Sequence, residues 1–171
     1  GTTEGIDIPD NNTFDWGNED SFSIEAWIKT GTAGVQVFLA RTEGGGNPEW
    51  FIATNTNAWA QFNTNNAERV ELFGTTDLTD DAWHHVVVVR EWDSTKDIFR
   101  LYVDGVLEDF EQAGLTGNFV GNGDMNIGYI DQGASFPYTG AIDEVALLDA
   151  ALSEDIIWSH FLNGDQGASY S

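Results

Sequence analysis

Two stretches of this chain carry the side chains best suited to gripping a ligand. Gly44-Gly45-Gly46-Asn47-Pro48-Glu49 is followed by Trp50, and Asp131-Gln132 runs on through a Gly/Ser/Pro-containing segment to Phe136 and Tyr138. Three successive glycines let backbone carbonyls approach a ligand or ion with no Cβ in the way. Asn47, Glu49, Asp131 and Gln132 are oxygen donors, which a hard cation such as calcium takes in sets of roughly six to eight. Trp50, Phe136 and Tyr138 supply flat rings that can flank a sugar. Trp92 stands among Glu91, Asp93, Ser94 and Lys96, polar company that marks a solvated turn and an exposed ring. Trp50 and Trp59 open and close a short hairpin, where core packing is the competing role. The expected site is a rim where the two loops meet, organised by calcium.

Catalytic chemistry has fewer candidates. There is no cysteine and no G-x-S-x-G, so a nucleophilic hydrolase lacks its nucleophile. His84 and His85 are adjacent, so a strand sends them to opposite faces and they cannot form one paired metal site. Each is expected to be a hydrogen-bonded structural histidine. Asp143 and Glu144 are separated by the same alternation.

Twenty-nine acidic residues stand against 6 basic ones, a formal net charge of -23 over 171 residues. Phosphate recognition needs clustered Lys and Arg, so nucleic acid is excluded as a partner, and anionic membrane surfaces with it. Aromatic residues make up 13% of the chain and 7 are Trp, so a packed core is within reach and disorder is not expected. No apolar stretch approaches the ~18 residues of a membrane span. The opening Gly-Thr-Thr-Glu-Gly is unlike a signal peptide and reads as the start of a piece excised from something longer.

The elements that must position these residues are strands. Phe22, Ile24, Ala26 and Ile28 alternate with Ser23, Glu25, Trp27 and Lys29. Comparable runs occupy residues 35–40, 50–53, 59–62, 70–73, 98–103, 106–110, 125–130 and 141–148. Residues 83–90 contain four successive valines, the pattern of a central strand covered on both faces. Asp104-Gly105 between two apolar runs predicts a tight hairpin with positive φ at both central residues. Such spacing predicts one all-β domain over residues 1–171, a two-sheet antiparallel sandwich. One helix is predicted near the C-terminus, capped by Ser153, acidic at Glu154 and Asp155, and stopped by Gly164.

Four segments in order carry a resemblance. Phe22-Ser23-Ile24-Glu25-Ala26-Trp27-Ile28 resembles the F-T-I-E-A-W-V strand of laminin-G-like, concanavalin-A-like jelly-roll domains. Leu78-Thr79-Asp80-Asp81-Ala82-Trp83-His84-His85-Val86 is similar to their L-T-x-x-x-W-H-H-V segment, and Leu101-Tyr102-Val103-Asp104-Gly105 to their L-Y-V-D-G hairpin. Gly140-Ala141-Ile142-Asp143-Glu144-Val145, with Ala151-Leu152-Ser153 after it, resembles the closing strand and helix. The resemblance implies a jelly-roll sandwich with Trp27 and Trp83 buried.

Laminarinase-like glucanases of this wider fold carry E-x-D-x-E on one strand face. Here Glu91-Trp92-Asp93 continues as Ser94-Thr95, and Glu108, Asp109 and Glu111 have the wrong spacing. Jelly-roll alginate lyases need paired basic residues and a Q-x-H strand, which six scattered basic residues do not supply. The expectation is therefore a non-enzymatic module. Related pentraxins bind calcium through two facing loops that correspond to residues 44–49 and 129–132 here, implicating Asn47, Asp131 and Gln132. Glucanases place a structural calcium at the position of Asp143. The function expected is a calcium-assisted carbohydrate-binding module of a larger secreted or cell-surface bacterial protein. A protein-binding adhesion or spacer module, with other surface proteins as partners, is the alternative.

Overall fold

The structure, a computed structural model, describes residues 5–43, 47–131 and 136–165. Eleven strands and one helix occur among the described residues: β1 (Ile6–Ile8), β2 (Phe22–Lys29), β3 (Val35–Glu43), β4 (Asn47–Asn55), β5 (Asn57–Asn63), β6 (Arg69–Phe73), β7 (Trp83–Trp92), β8 (Asp97–Val103), β9 (Val106–Ala113), β10 (Met125–Ile127), β11 (Ala141–Leu148) and α1 (Glu154–Asp165). Alternation sorts them into two antiparallel sheets. One runs β1-β10-β3-β4-β5-β6 and the other β11-β2-β7-β8-β9. The fold is the expected jelly-roll sandwich.

The core lies between the sheets, because one side chain in two from each sheet faces inward. Phe22, Ile24, Ala26 and Ile28 of β2 meet Phe38, Trp50, Ile52, Ala60, Phe62 and Leu72 of the opposite sheet. Trp16, from the irregular segment before β2, stacks on Phe22 with ring centroids 4.0 Å apart. The valine run of β7 divides as its pattern requires. Val86 and Val88 enter the core, while Val87 and Val89 lie under Ile157 of α1. At the β8–β9 turn, φ is 51° at Asp104 and 77° at Gly105, the positive pair the sequence predicted.

Two guanidiniums are fully buried, and each is held by a complete polar shell. Arg41 donates to the carbonyls of Phe14, Gly121 and Gly123 and to the carboxylates of Asp10 and Asp15, with Glu49 at 3.1 Å. Arg90 pairs with Asp97 and donates to the carbonyls of Gly17, Asn18 and Asp20. They tie the long segment preceding β2 to the sandwich.

Three expectations need correction, and one strand was not anticipated. Trp83 is 43% exposed, because it is the first residue of β7, opposite Lys29 at the sheet's end. Gly164 does not stop the helix, which runs through it to Asp165. Its place there is explained by close approach, since an added Cβ would lie 2.4 Å from the Trp27 ring. β10 ends at Ile127, because Gly128 (φ 87°) turns the chain across β3 and donates to the Phe38 carbonyl. The short β1 gave no alternation to read.

Candidate functional site

The sandwich has two outer faces, and they differ. On the five-stranded sheet, α1 covers the outward residues: Trp27 stacks on Phe161 of the helix, and Glu25 Oε2 lies 3.0 Å from His160 Nδ1. On the six-stranded sheet, the described residues after β10 cover only part of the surface. Val37 N–H donates to the Phe136 carbonyl, and Ile130 packs with Val37, Ala40, Phe51 and Ala53. β5 and β6 lie beyond that cover.

Alternation on these strands presents a row of aromatics beside a row of polar groups. With Ala58, Ala60 and Phe62 inward, Trp59, Gln61 and Asn63 face out; with Val70 and Leu72 inward, Arg69, Glu71 and Phe73 face out. Cross-strand register aligns Trp59 with Phe73, Gln61 with Glu71 and Asn63 with Arg69. The Trp59 and Phe73 rings are nearly parallel, 11° apart with centroids at 6.2 Å, and Phe51 braces Trp59 edge-on at 4.7 Å. Phe73 is 55% exposed. Glu71 Oε1 accepts from both Trp59 Nε1 (3.3 Å) and Arg69 Nη2 (2.5 Å), and Gln61 Nε2 donates to Asn63 Oδ1 at 3.2 Å.

An aromatic ledge flanked by amides and an ion pair can hold the apolar face of a sugar ring and hydrogen-bond its hydroxyls. Within the two facing rows the carboxylate is Glu71, and Asp109 Oδ2 accepts from the Phe73 N–H beside them at 2.8 Å. Among the described residues, two cavities lie away from this array. One of about 440 Å³ is lined by Asp15, Trp16, Glu19, Asp20 and Asp149 among others, and one of about 280 Å³ by Glu91, Arg100, Tyr102 and the start of α1. Their aromatic residues, Trp16 and Tyr102, are buried, so neither offers a ring face to a ligand.

The residues expected at the site are dispersed. Trp50 is fully buried between Trp16 and Phe62 and is no ligand contact, because its strand position faces the core. Glu49 is buried too and neutralises Arg41. Tyr138 packs on the core against Phe38, and burial drives its hydroxyl well above the ordinary tyrosine range. Trp92 belongs to β7 rather than to the turn, is half-buried opposite Asp97, and lies in the other sheet. Phe136 is 42% exposed beside β3, and Asp131 is exposed at the end of the same covering segment. Gln132 and the glycine run lie outside the described residues, and the Asn47 side chain is not described. Asp143 is exposed on β11, opposite Trp27, in the sheet that does not carry Asp131.

Among the described residues no three His, Cys, Asp or Glu side chains gather to hold a metal. Tyr129 donates instead to Asp7, and that contact pushes its hydroxyl up to about 12. Sequence reasoning placed Trp59 by its hairpin position and passed over its partners. The signal was present in Trp59-Ala60-Gln61-Phe62-Asn63 and Arg69-Val70-Glu71-Leu72-Phe73, where each outward aromatic shares its face with polar residues.

The sequence profile of the concanavalin A-like lectin/glucanases superfamily matches residues 1–157. The chain belongs to this superfamily. No curated protein matches this lectin-like domain. Solved structures of the same fold do. The binding domain of Paraclostridial Mosquitocidal Protein 1 superposes with a TM-score of 0.74 at 13% identity, covering 94% of this chain and 41% of that one. The CBM40 of the Ruminococcus gnavus IT-sialidase, bound to α2,3 sialyllactose, gives 0.70 at 15% identity and covers 91% of this chain and 95% of that one. The heptameric SAP-like pentraxin of Limulus polyphemus gives 0.64 at 12% identity, covering 92% and 81%. The lectin-like domain thus spans about two fifths of the toxin binding domains it matches.

Proposed function

We propose that this domain is a non-catalytic carbohydrate-binding module of a larger secreted or cell-surface protein, and that it binds glycan on the outer face of β5 and β6. The observation that carries the reading is the Trp59–Phe73 ledge, with Phe73 exposed and Trp59 half-buried, and with Asn63, Arg69 and Glu71 beside it over a buried Gln61. Burying an exposed aromatic surface against sugar C–H groups supplies affinity, and the flanking polar row supplies orientation. The sialyllactose-bound CBM40 lends support as a domain of this fold and size that holds a glycan.

The calcium that the pentraxin and glucanase resemblance implies belongs to Asn47, Asp131, Gln132 and Asp143, none of them on β5 or β6. A calcium cage needs roughly six to eight oxygens, and of the residues implicated only the Asp131 carboxylate is described beside β3. Binding at the ledge is assigned to the side chains of β5 and β6, with no calcium invoked there.

Affinity electrophoresis through gels containing neutral polysaccharides tests the proposal. Retardation of the wild-type domain, lost in Phe73→Ala at unchanged melting temperature, is expected. A panel that retards neither protein, alongside a protein ligand captured on another face, would favour the adhesion-module alternative.

A further inference from the structure

Resting on the reading that the β5–β6 ledge binds glycan, we infer that its ligand is an uncharged glycan and that carboxylated or sulfated chains are rejected. Recognition of an anionic sugar needs a cation with donors to spare at the binding face, as paired or bidentate Arg contacts provide elsewhere. This chain has only 6 Lys and Arg residues, and the structure accounts for all of them. Arg41 and Arg90 have no exposed surface and are enclosed by carbonyls and carboxylates. Lys29 faces Asp81, Arg100 pairs with Glu91, and Lys96 donates to Gln112. These three belong to β2, β8 and the β7–β8 turn, all in the sheet opposite the ledge.

That leaves Arg69 as the cation at the ledge. Its guanidinium is already 2.5 Å from Glu71, on the same strand face, and the two charges cancel. An anionic sugar approaching Arg69 would therefore meet the Glu71 carboxylate as well. Of the remaining polar groups, Gln61 is buried and donates to Asn63 Oδ1, and the half-buried Asn63 presents a neutral amide that both donates and accepts, as sugar hydroxyls do. Asp109, which accepts from the Phe73 N–H at 2.8 Å, and Glu108, which accepts from the Thr75 N–H at 2.7 Å, add carboxylates beside the ledge in a chain of net charge -23. At physiological ionic strength the Debye length is about 8 Å, so the Glu71 contact persists while the distant charges are screened. At low salt both act, and rejection should be strongest there.

The test compares one neutral polysaccharide that retards the domain with its own carboxymethylated and sulfated derivatives, at about 10 mM and 150 mM salt. The neutral chain is expected to bind at both salts, and each derivative at least tenfold more weakly, with the gap narrowing as salt rises. Glu71→Gln, which releases Arg69 from its carboxylate partner, should raise retention of the carboxymethylated chain several-fold relative to the neutral one. A derivative that binds as tightly as its neutral parent, with loss in Phe73→Ala, would overturn the inference while leaving the ledge as the site. An unaltered ratio in Glu71→Gln would remove the ion pair as the cause and overturn it as well. If no neutral chain binds, or binding ignores Phe73→Ala, the ledge itself falls and this inference with it.

Discussion

Gly105, in the β8–β9 turn, lies directly beneath the indole of Trp158 on α1: a Cβ added to the glycine would sit 2.5 Å from Trp158 Cε3. Phe161 Cβ is the next obstacle, 3.5 Å away. The turn and the C-terminal helix are therefore packed through a position where only hydrogen fits, and the same residue holds φ at 77°. Gly105→Val should destabilise the domain by about 1–3 kcal/mol from backbone strain alone. Asp104→Ala should also destabilise it, since Asp104 accepts from the His85 amide and lies 2.8 Å from His84 Nδ1. Thermal unfolding with unchanged midpoints in both variants would refute the account of this turn.

Arg41 offers a harsher test. Replacing it by Met leaves Asp10, Asp15 and Glu49 facing one another without their common cation, and strands the carbonyls it satisfies. Breaking a buried ion pair from one side typically costs about 3–5 kcal/mol. Arg41→Met should therefore unfold the domain or lower its denaturation midpoint drastically. Arg41→Lys should rescue little, because one ammonium cannot span the same set of acceptors. A near-native midpoint for either would show that the polar shell contributes little.

Two histidine contacts predict opposite pH dependences. The His84 ring is raised above its ordinary 6.5, mainly by its hydrogen bond to Asp104 with Asp80 adding to it, while burial opposes. A raised value means that His84 contributes fully below pH ~6.5 and that the contribution fades as pH climbs through the folded value. For Glu25, burial works to raise the carboxyl above 4.5, but contacts with His85 and His160 outweigh it and hold it lower. Its contribution is present above pH ~4.5 and fades as pH falls through the lowered value. Melting temperatures measured against pH should show His84→Gln differing most from wild type in mild acid. Glu25→Gln should converge with wild type only in stronger acid, and parallel curves would contradict both assignments.

Much of the fold was legible because alternation and turn chemistry are local. Phe22-Ser23-Ile24-Glu25 declares its two faces, and Asp104-Gly105 declares its φ angles. Which face is the buried one is not local when both carry large apolar residues. Trp50 and Trp59 flank one hairpin, yet the first faces the core and the second faces out. Trp83 and Trp92, the two ends of β7, show the same limit, since exposure there depends on where neighbouring strands stop. Arg41 could not be read as a core residue at all. Its acceptors come from segments about 26–82 positions away, and only folding brings them together.

The ledge predicts a division between binding and stability. Phe73 is more than half exposed on an edge strand, so Phe73→Ala should lower glycan affinity at least tenfold, or about 1.4 kcal/mol, with a small change in melting temperature. Trp59 is half-buried between Phe51 and Phe73, so Trp59→Ala should lose both affinity and stability. Trp92→Ala should do the reverse of Phe73→Ala: it removes a half-buried ring from the other sheet, lowering stability and leaving retardation intact. Chelation separates the ledge from the rim that holds Asp131. Adding EDTA, or replacing Asp131 by Ala, should leave retardation on a neutral polysaccharide unchanged, with exposed Asp155→Asn on α1 as the control for lost surface charge. Affinity that vanishes with EDTA and with Asp131→Ala, but survives both Phe73→Ala and Asp155→Asn, would move the site from the β5–β6 face to a metal-dependent rim.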